Sequence, residues 1–188
     1  CVFLIMKTIL GLDISSSTIG WALLRVDERD IVLHSYGHIK PPKSKDGSLS
    51  HRVNSAYSEL KTLFSDIDPD CVAIEAYANK FTTGKSNSRT IIVLSVFNEL
   101  SALASLRSIG IEPSRYSVIS IRSELSKYFN TKIKSKDDAF DFICKYFDNF
   151  ELRHTRNGTI RKECYDEADA IAVAICHFIR SQLLCQKD

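Results

Sequence analysis

The sequence predicts an α/β fold, a central mixed five-stranded sheet flanked by helices. Two observations carry this expectation. Three short β-rich runs lead the chain, and from residue 50 onward strand-like runs alternate with stretches of helical periodicity, in the order βββαβαβαα. Leading strands followed by such alternation place helices on the faces of a mixed sheet. Length agrees, since 188 residues suffice for one domain with a proper core, read here as residues 1–188.

The elements follow in order. Residues 1–5, "CVFLI", precede Met6 and read as an extension, too short for a signal-peptide core or a membrane span. "TILGLDI" (8–14), "IGWALLRVD" (19–27) and "DIVLHSYGHIK" (30–40) are rich in β-formers and partly alternating, as three antiparallel strands joined by tight turns would be. "KPPKSKDGSLS" (40–50) is a loop with two prolines, and Ser50 or a neighbour caps the helix that follows. From Ser50 to Phe64, Val53, Ala56, Tyr57, Leu60 and Phe64 recur at helical spacing. "CVAIE" (71–75) is a compact apolar strand closing on an acid, and 78–89 is a polar, basic loop. Residues 90–108 form a helix apolar almost all round, either central in a core or shared with a second subunit. "YSVISI" (116–121) reads as the fifth strand, Ser135–Phe147 as a helix and 148–165 as a charged connection. The last helix begins at about Asp166 and ends at Leu184.

Composition is that of an ordinary soluble domain, with 44% hydrophobic and 26% charged residues. A net charge of +2 announces no global affinity for nucleic acid, so the distribution of charge matters more than its sum. The six cysteines include no C-x-x-C pair, which points away from a disulfide framework or zinc site and towards a reducing, cytoplasmic setting.

Four acids stand out. Asp13 interrupts the first apolar strand and Glu75 closes the fourth, although Asp is depleted in strands. Asp166 and Asp169 lie three apart at the front of the last helix, on one face. An N-cap accounts for Asp166, and the helix dipole for Asp169, but neither accounts for Asp13 or Glu75. If the four converge, their mutual repulsion demands divalent cations, and oxygen ligands without His or Cys select magnesium or manganese over zinc. Two such ions are the recurring apparatus of phosphodiester cleavage.

"ILGLDISSSTIGWALL", "CVAIEAYANK" and "YDEADAIAVAICH" resemble the motifs of the RuvC family of Holliday-junction resolvases, built on a ribonuclease H-like fold. The resemblance spans about residues 7–180, and D-x-x-D-A-x-x-x-A is its most specific part. It implies a nuclease that resolves four-way DNA junctions by paired nicks. Asp13, Glu75, Asp166 and Asp169 would hold two Mg2+ ions, with Mn2+ as a substitute, and Lys136 would lie near the scissile phosphate. It also implies a homodimer through helix 90–108. Tyr77 and Phe81 in the loop after Glu75 are possible base-stacking side chains. Lys80, Lys85 and Arg89, with Arg122, Lys132 and Lys134, would meet phosphates at the mouth of the acidic centre. Lys127, Arg153, His154, Arg156, Arg161 and Lys162 extend the two basic stretches, although lysines also simply solvate loops.

The sequence departs from the family in its polar loop after Glu75 and in "FNTKIKSKDD", which replaces a Gly-rich approach to the later helix. The alternatives are a branched-DNA or flap nuclease of looser specificity, a non-catalytic binder of branched DNA or RNA, and a nuclease of ribosomal RNA precursors. A sugar-kinase or actin relative would need a second phosphate loop and about twice this length.

Overall fold

A computed structural model of the chain describes residues 7–27, 30–77 and 88–185. Five strands make one sheet of order β3-β2-β1-β4-β5: β1 Lys7–Ile14, β2 Ile19–Val26, β3 Ile31–Ile39, β4 Cys71–Glu75 and β5 Ser114–Tyr116. The first three are antiparallel neighbours, whereas β4 runs parallel to both β1 and β5. The sheet is therefore mixed, as the sequence predicts.

Side chains alternate across the sheet with period two. On β1, Leu10, Leu12 and Ile14 join one core, with Val72 and Ile74 of β4, against helices α1 (Leu49–Ile67) and α2 (Ser88–Ile109). Ile9 and Ala73 belong to the opposite core, built with α3 (Val118–Tyr128), α4 (Lys136–Tyr146) and α5 (Lys162–Cys185). By this parity Asp13 and Glu75 fall on the α5 face. The β1–β4 register pairs Gly11 with Ala73 and Leu12 with Ile74, so the next step along both strands brings Asp13 beside Glu75.

Two glycines let α5 press onto that face. A Cβ on Gly11 would lie 2.2 Å from the Ala170 carbonyl oxygen, and one on Gly20 would lie 2.2 Å from that of Asp166. Only glycine permits this approach, and it lowers the acid-bearing part of α5 onto the end of β1.

Local signals set the helix ends. Ser48, a neighbour of the expected Ser50, caps α1 by accepting from the His51 amide, and Ser135 heads a capping box with Asp138 on α4. On α2 the inward face holds Phe97, Asn98 and Ser101, while Ile92, Leu103 and Leu106 are 59%, 46% and 45% exposed. The helix is thus partly covered within this chain and carries an outward apolar face.

Three expectations are corrected. The run 116–121 is not a strand: β5 ends at Tyr116, and Ser117 caps α3 by accepting from the Ser120 amide. The element order gains a helix in consequence. The last helix begins at Lys162, a turn before Asp166, so Asp166 caps nothing. The connection 148–161 is also partly ordered, with a bridge between His154 and Ile160 closed over a turn at Gly158. The extension 1–5 lies outside the described residues.

Candidate active site

Asp13, Glu75 and Asp169 line one cavity of about 150 Å³, together with Arg122 and Lys136. The contributors come from β1, β4, α5, α3 and α4, in that order. Asp166, one turn before Asp169, flanks the cavity; its carboxylate is hydrogen-bonded to the Thr18 side chain and its field reaches Asp13. All four acids singled out in the sequence are therefore neighbours in space.

Other parts of the fold fix their backbones. The Asn98 side-chain amide donates to the Glu75 carbonyl at 2.8 Å and accepts from Arg115, which also pairs with Glu99 at 2.6 Å. The buried polar face of α2 thus anchors the end of β4. The Ser15 hydroxyl accepts from the amides of Ser17 and Thr18 and donates to the Thr18 carbonyl, which holds the turn after Asp13. These serine contacts are turn chemistry.

The electrostatics are those of crowded like charges. Desolvation, then Glu75, Asp169 and Asp166, push the Asp13 carboxyl well above its ordinary range. Desolvation and Asp169 raise Glu75 to about 7. Asp166 and Asp169 are raised as well, desolvation outweighing the pull of Lys136. The Lys136 ammonium lies 2.5 Å from Asp169 Oδ2. Burial lowers its proton affinity, but contact with Asp169 and the fields of Asp13 and Asp166 more than reverse this. Lys136, the first residue of α4, is thereby the cation that holds the cluster together.

Among the described residues no three His, Cys, Asp or Glu side chains form a ready-made metal cage. The donor set nevertheless fits a hard divalent cation: carboxylate oxygens from three elements share a small cavity, each is driven upward in pKa by burial, and for Asp13 and Glu75 like charges close by add to the shift. A bound cation would relieve that repulsion.

The remaining sequence-selected residues divide. Arg122 lines the cavity and reaches towards the Lys134 carbonyl at 3.4 Å. Lys132 and Lys134 are exposed on the α3–α4 connection, Arg89 is exposed at the start of α2, and Tyr77 is half-buried beyond β4. Lys80, Phe81 and Lys85 lie outside the described residues. Arg153 turns inward to an ion pair with Glu167 instead of facing a ligand.

Sequence reasoning passed over Glu167. It is fully buried between Asp166 and Asp169, accepting from His38 Nδ1 at 2.7 Å and from the Arg153 guanidinium. One turn earlier, Glu163 pairs with Lys40 just beyond β3, which lowers its pKa to about 2. These contacts tie the front of α5 to the β3 side of the sheet. A buried acid flanked by exposed-looking ones gives no local signal, because its partner on β3 is 129 residues away.

The sheet order and the α5 crossing are those of a ribonuclease H-like fold. In sequence the chain is similar to RuvC proteins. It is 29% identical over 182 residues to the crossover junction endodeoxyribonuclease RuvC of Chlamydia caviae, covering 95% of this chain and 96% of that one. The protein of the same name from Syntrophomonas wolfei is 26% identical over 170 residues, covering 90% and 87%. Thermus thermophilus RuvC, solved in complex with a Holliday junction substrate, superimposes with a TM-score of 0.70 over 94% of this chain and 96% of that one, at 12% identity. The yeast mitochondrial Holliday junction resolvase Ydc2 gives 0.64 at 15% identity, over 93% and 78%. At such identities the structural likeness speaks for the fold. No protein-family model matches the chain.

Proposed function

We propose that this chain, read as a single nuclease domain, is a divalent-metal-dependent DNA endonuclease that resolves four-way junctions by paired nicks. The observation that supports this best is the meeting of Asp13, Glu75 and Asp169 in one cavity with Arg122 and Lys136, in a chain whose curated relatives are crossover junction endodeoxyribonucleases.

In this reading Asp13, Glu75, Asp166 and Asp169 would hold two Mg2+ ions, for which Mn2+ can substitute. When bound, the ions would supply an activated water and charge stabilisation at the leaving oxygen. Lys136 and Arg122 balance phosphate charge on the α3–α4 side, and Lys132, Lys134 and Arg89 add cations at the rim. Tyr77 offers a stacking ring at the end of β4. The outward apolar face of α2, with Ile92, Leu103 and Leu106, is the surface for a second copy, which would set two cavities to cut two strands.

The test is a labelled synthetic four-way junction with matched duplex, flap and RNA–DNA hybrid controls, with and without magnesium. Paired nicks across the junction only with magnesium are expected. Preferential cutting of flaps would reassign the substrate. Tight binding without any cut in magnesium or manganese would overturn the enzyme reading.

A further inference from the structure

A second recess lies beyond the turn that follows Asp13. It is an open groove of about 640 Å³ between the turn after β1, at Ser16 and Ser17, and the segment after β3 that carries Lys40, Lys43 and Lys45. Its walls are stapled by Arg52 of α1, which is only 8% exposed. The Arg52 Nε donates to the Pro42 carbonyl at 2.7 Å, a terminal nitrogen donates to the Ser16 carbonyl, and the guanidinium lies 5.5 Å from the Phe97 ring centroid. Backbone carbonyls and a ring satisfy this arginine without neutralising it. Among the described residues no carboxylate pairs with Arg52, Lys43 or Lys45, whereas Lys40 is bound to Glu163. The groove therefore keeps an uncompensated positive charge in a chain that is nearly neutral overall.

Its position gives that charge a use. The Ser15–Thr18 turn forms one wall of the groove and also contacts the acids, through Thr18 on Asp166. Lys40 holds Glu163 one turn ahead of Asp166. In the sheet order, Asp13 on β1 stands between this groove, on the β2–β3 side, and Arg122 and Lys136, on the β4–β5 side. A polyanionic strand crossing the acids thus meets cations on both sides of them.

We propose that the groove is a nucleic-acid contact distinct from the cavity, taking the sugar-phosphate backbone of the DNA strand that runs through the cavity as that strand leaves on the β3 side. Lys43 and Lys45 meet its phosphates, and Arg52 keeps the groove open and positive. Phosphate contacts of this kind fix position and register without reading sequence. The inference rests on the reading of the cavity as a DNA-cutting site.

The test is fluorescence anisotropy with a labelled four-way junction, using the full chain in EDTA between about 50 and 200 mM salt. Wild type is compared with the Lys43→Ala/Lys45→Ala double variant and with Lys61→Ala, a control further along α1. The double variant should bind roughly tenfold more weakly, with a log–log salt slope shallower by about 1.5, as expected for two lost phosphate contacts. Its melting temperature, and the binding of the Lys61 control, should match wild type. Unchanged affinity and slope in the double variant, with a wild type that binds and cuts, would overturn the groove alone. A wild type that neither binds nor cuts branched DNA would overturn both readings.

Discussion

Gly11 lies directly beneath Ala170, so close that a Cβ on the glycine would stand 2.2 Å from the alanine carbonyl oxygen and 2.9 Å from the Cβ of Ala174. Asp13 follows two residues along β1 on the same face, and Asp169 immediately precedes Ala170. The spacing between two acids of the cavity is therefore set by the absence of a side chain nearby. Gly11→Ala should push α5 off the sheet, costing about 2–3 kcal/mol as overpacking against rigid backbone. Urea unfolding measures the loss, and cutting by the folded fraction should fall as well, because Asp169 moves with the helix.

A pH dependence follows from Glu75. Its folded pKa of about 7 exceeds the ordinary 4.5, so the folded chain holds this proton where the unfolded chain has released it. The contribution of Glu75 to stability without divalent metal should therefore fall as pH rises from about 4.5 to 7 and level off above that. Glu163 acts in the opposite sense in a lower window, since its pKa is depressed to about 2 by Lys40. That pair contributes stability above about 4.5 that is lost as pH falls towards 2. Glu75→Gln should make the upper slope shallower by this group's share, the rest coming from Asp13, Asp166 and Asp169, and at pH 8 in EDTA it should be more stable than wild type by roughly 2–3 kcal/mol. Denaturation midpoints across pH 4–8 decide it.

Glu167 is expected to matter to the fold more than its neighbours do. Removing it leaves the His38 ring and the Arg153 guanidinium without their shared acceptor. Glu167→Ala should cost about 3 kcal/mol or more, and Glu167→Gln less, because an amide still accepts one hydrogen bond. The same unfolding assay should find Asp166→Asn neutral or stabilising without metal, since it removes a carboxylate from a crowded set, whereas Asp169→Asn should be less favourable because it also takes away the partner of Lys136.

The four acids on β1, β4 and α5 were legible because they break local rules: an acid within or at the end of an apolar strand, and a pair at helical spacing on a buried helix. Sheet class followed from the leading strands and the later alternation. What failed was local ambiguity. "YSVISI" is β-branched enough to pass for a strand, yet Ser117 caps a helix there and turns Arg122 into the cavity. The polar start "KECYDE" hid the first turn of α5. Glu167 and Arg52 were not legible at all, because their meaning lies in partners on distant elements, namely His38 and Arg153 for one, and the Ser16 and Pro42 carbonyls for the other.

The most direct test of the account compares wild type and Asp13→Asn on the same labelled four-way junction, each with and without magnesium, with binding measured in parallel. Asp13 is the acid that meets the fields of the other three, so its loss should weaken metal capture far more than phosphate contact elsewhere. The account predicts paired nicks by wild type only with magnesium, and no cutting by Asp13→Asn at undiminished junction affinity. Substantial cleavage by Asp13→Asn would contradict it.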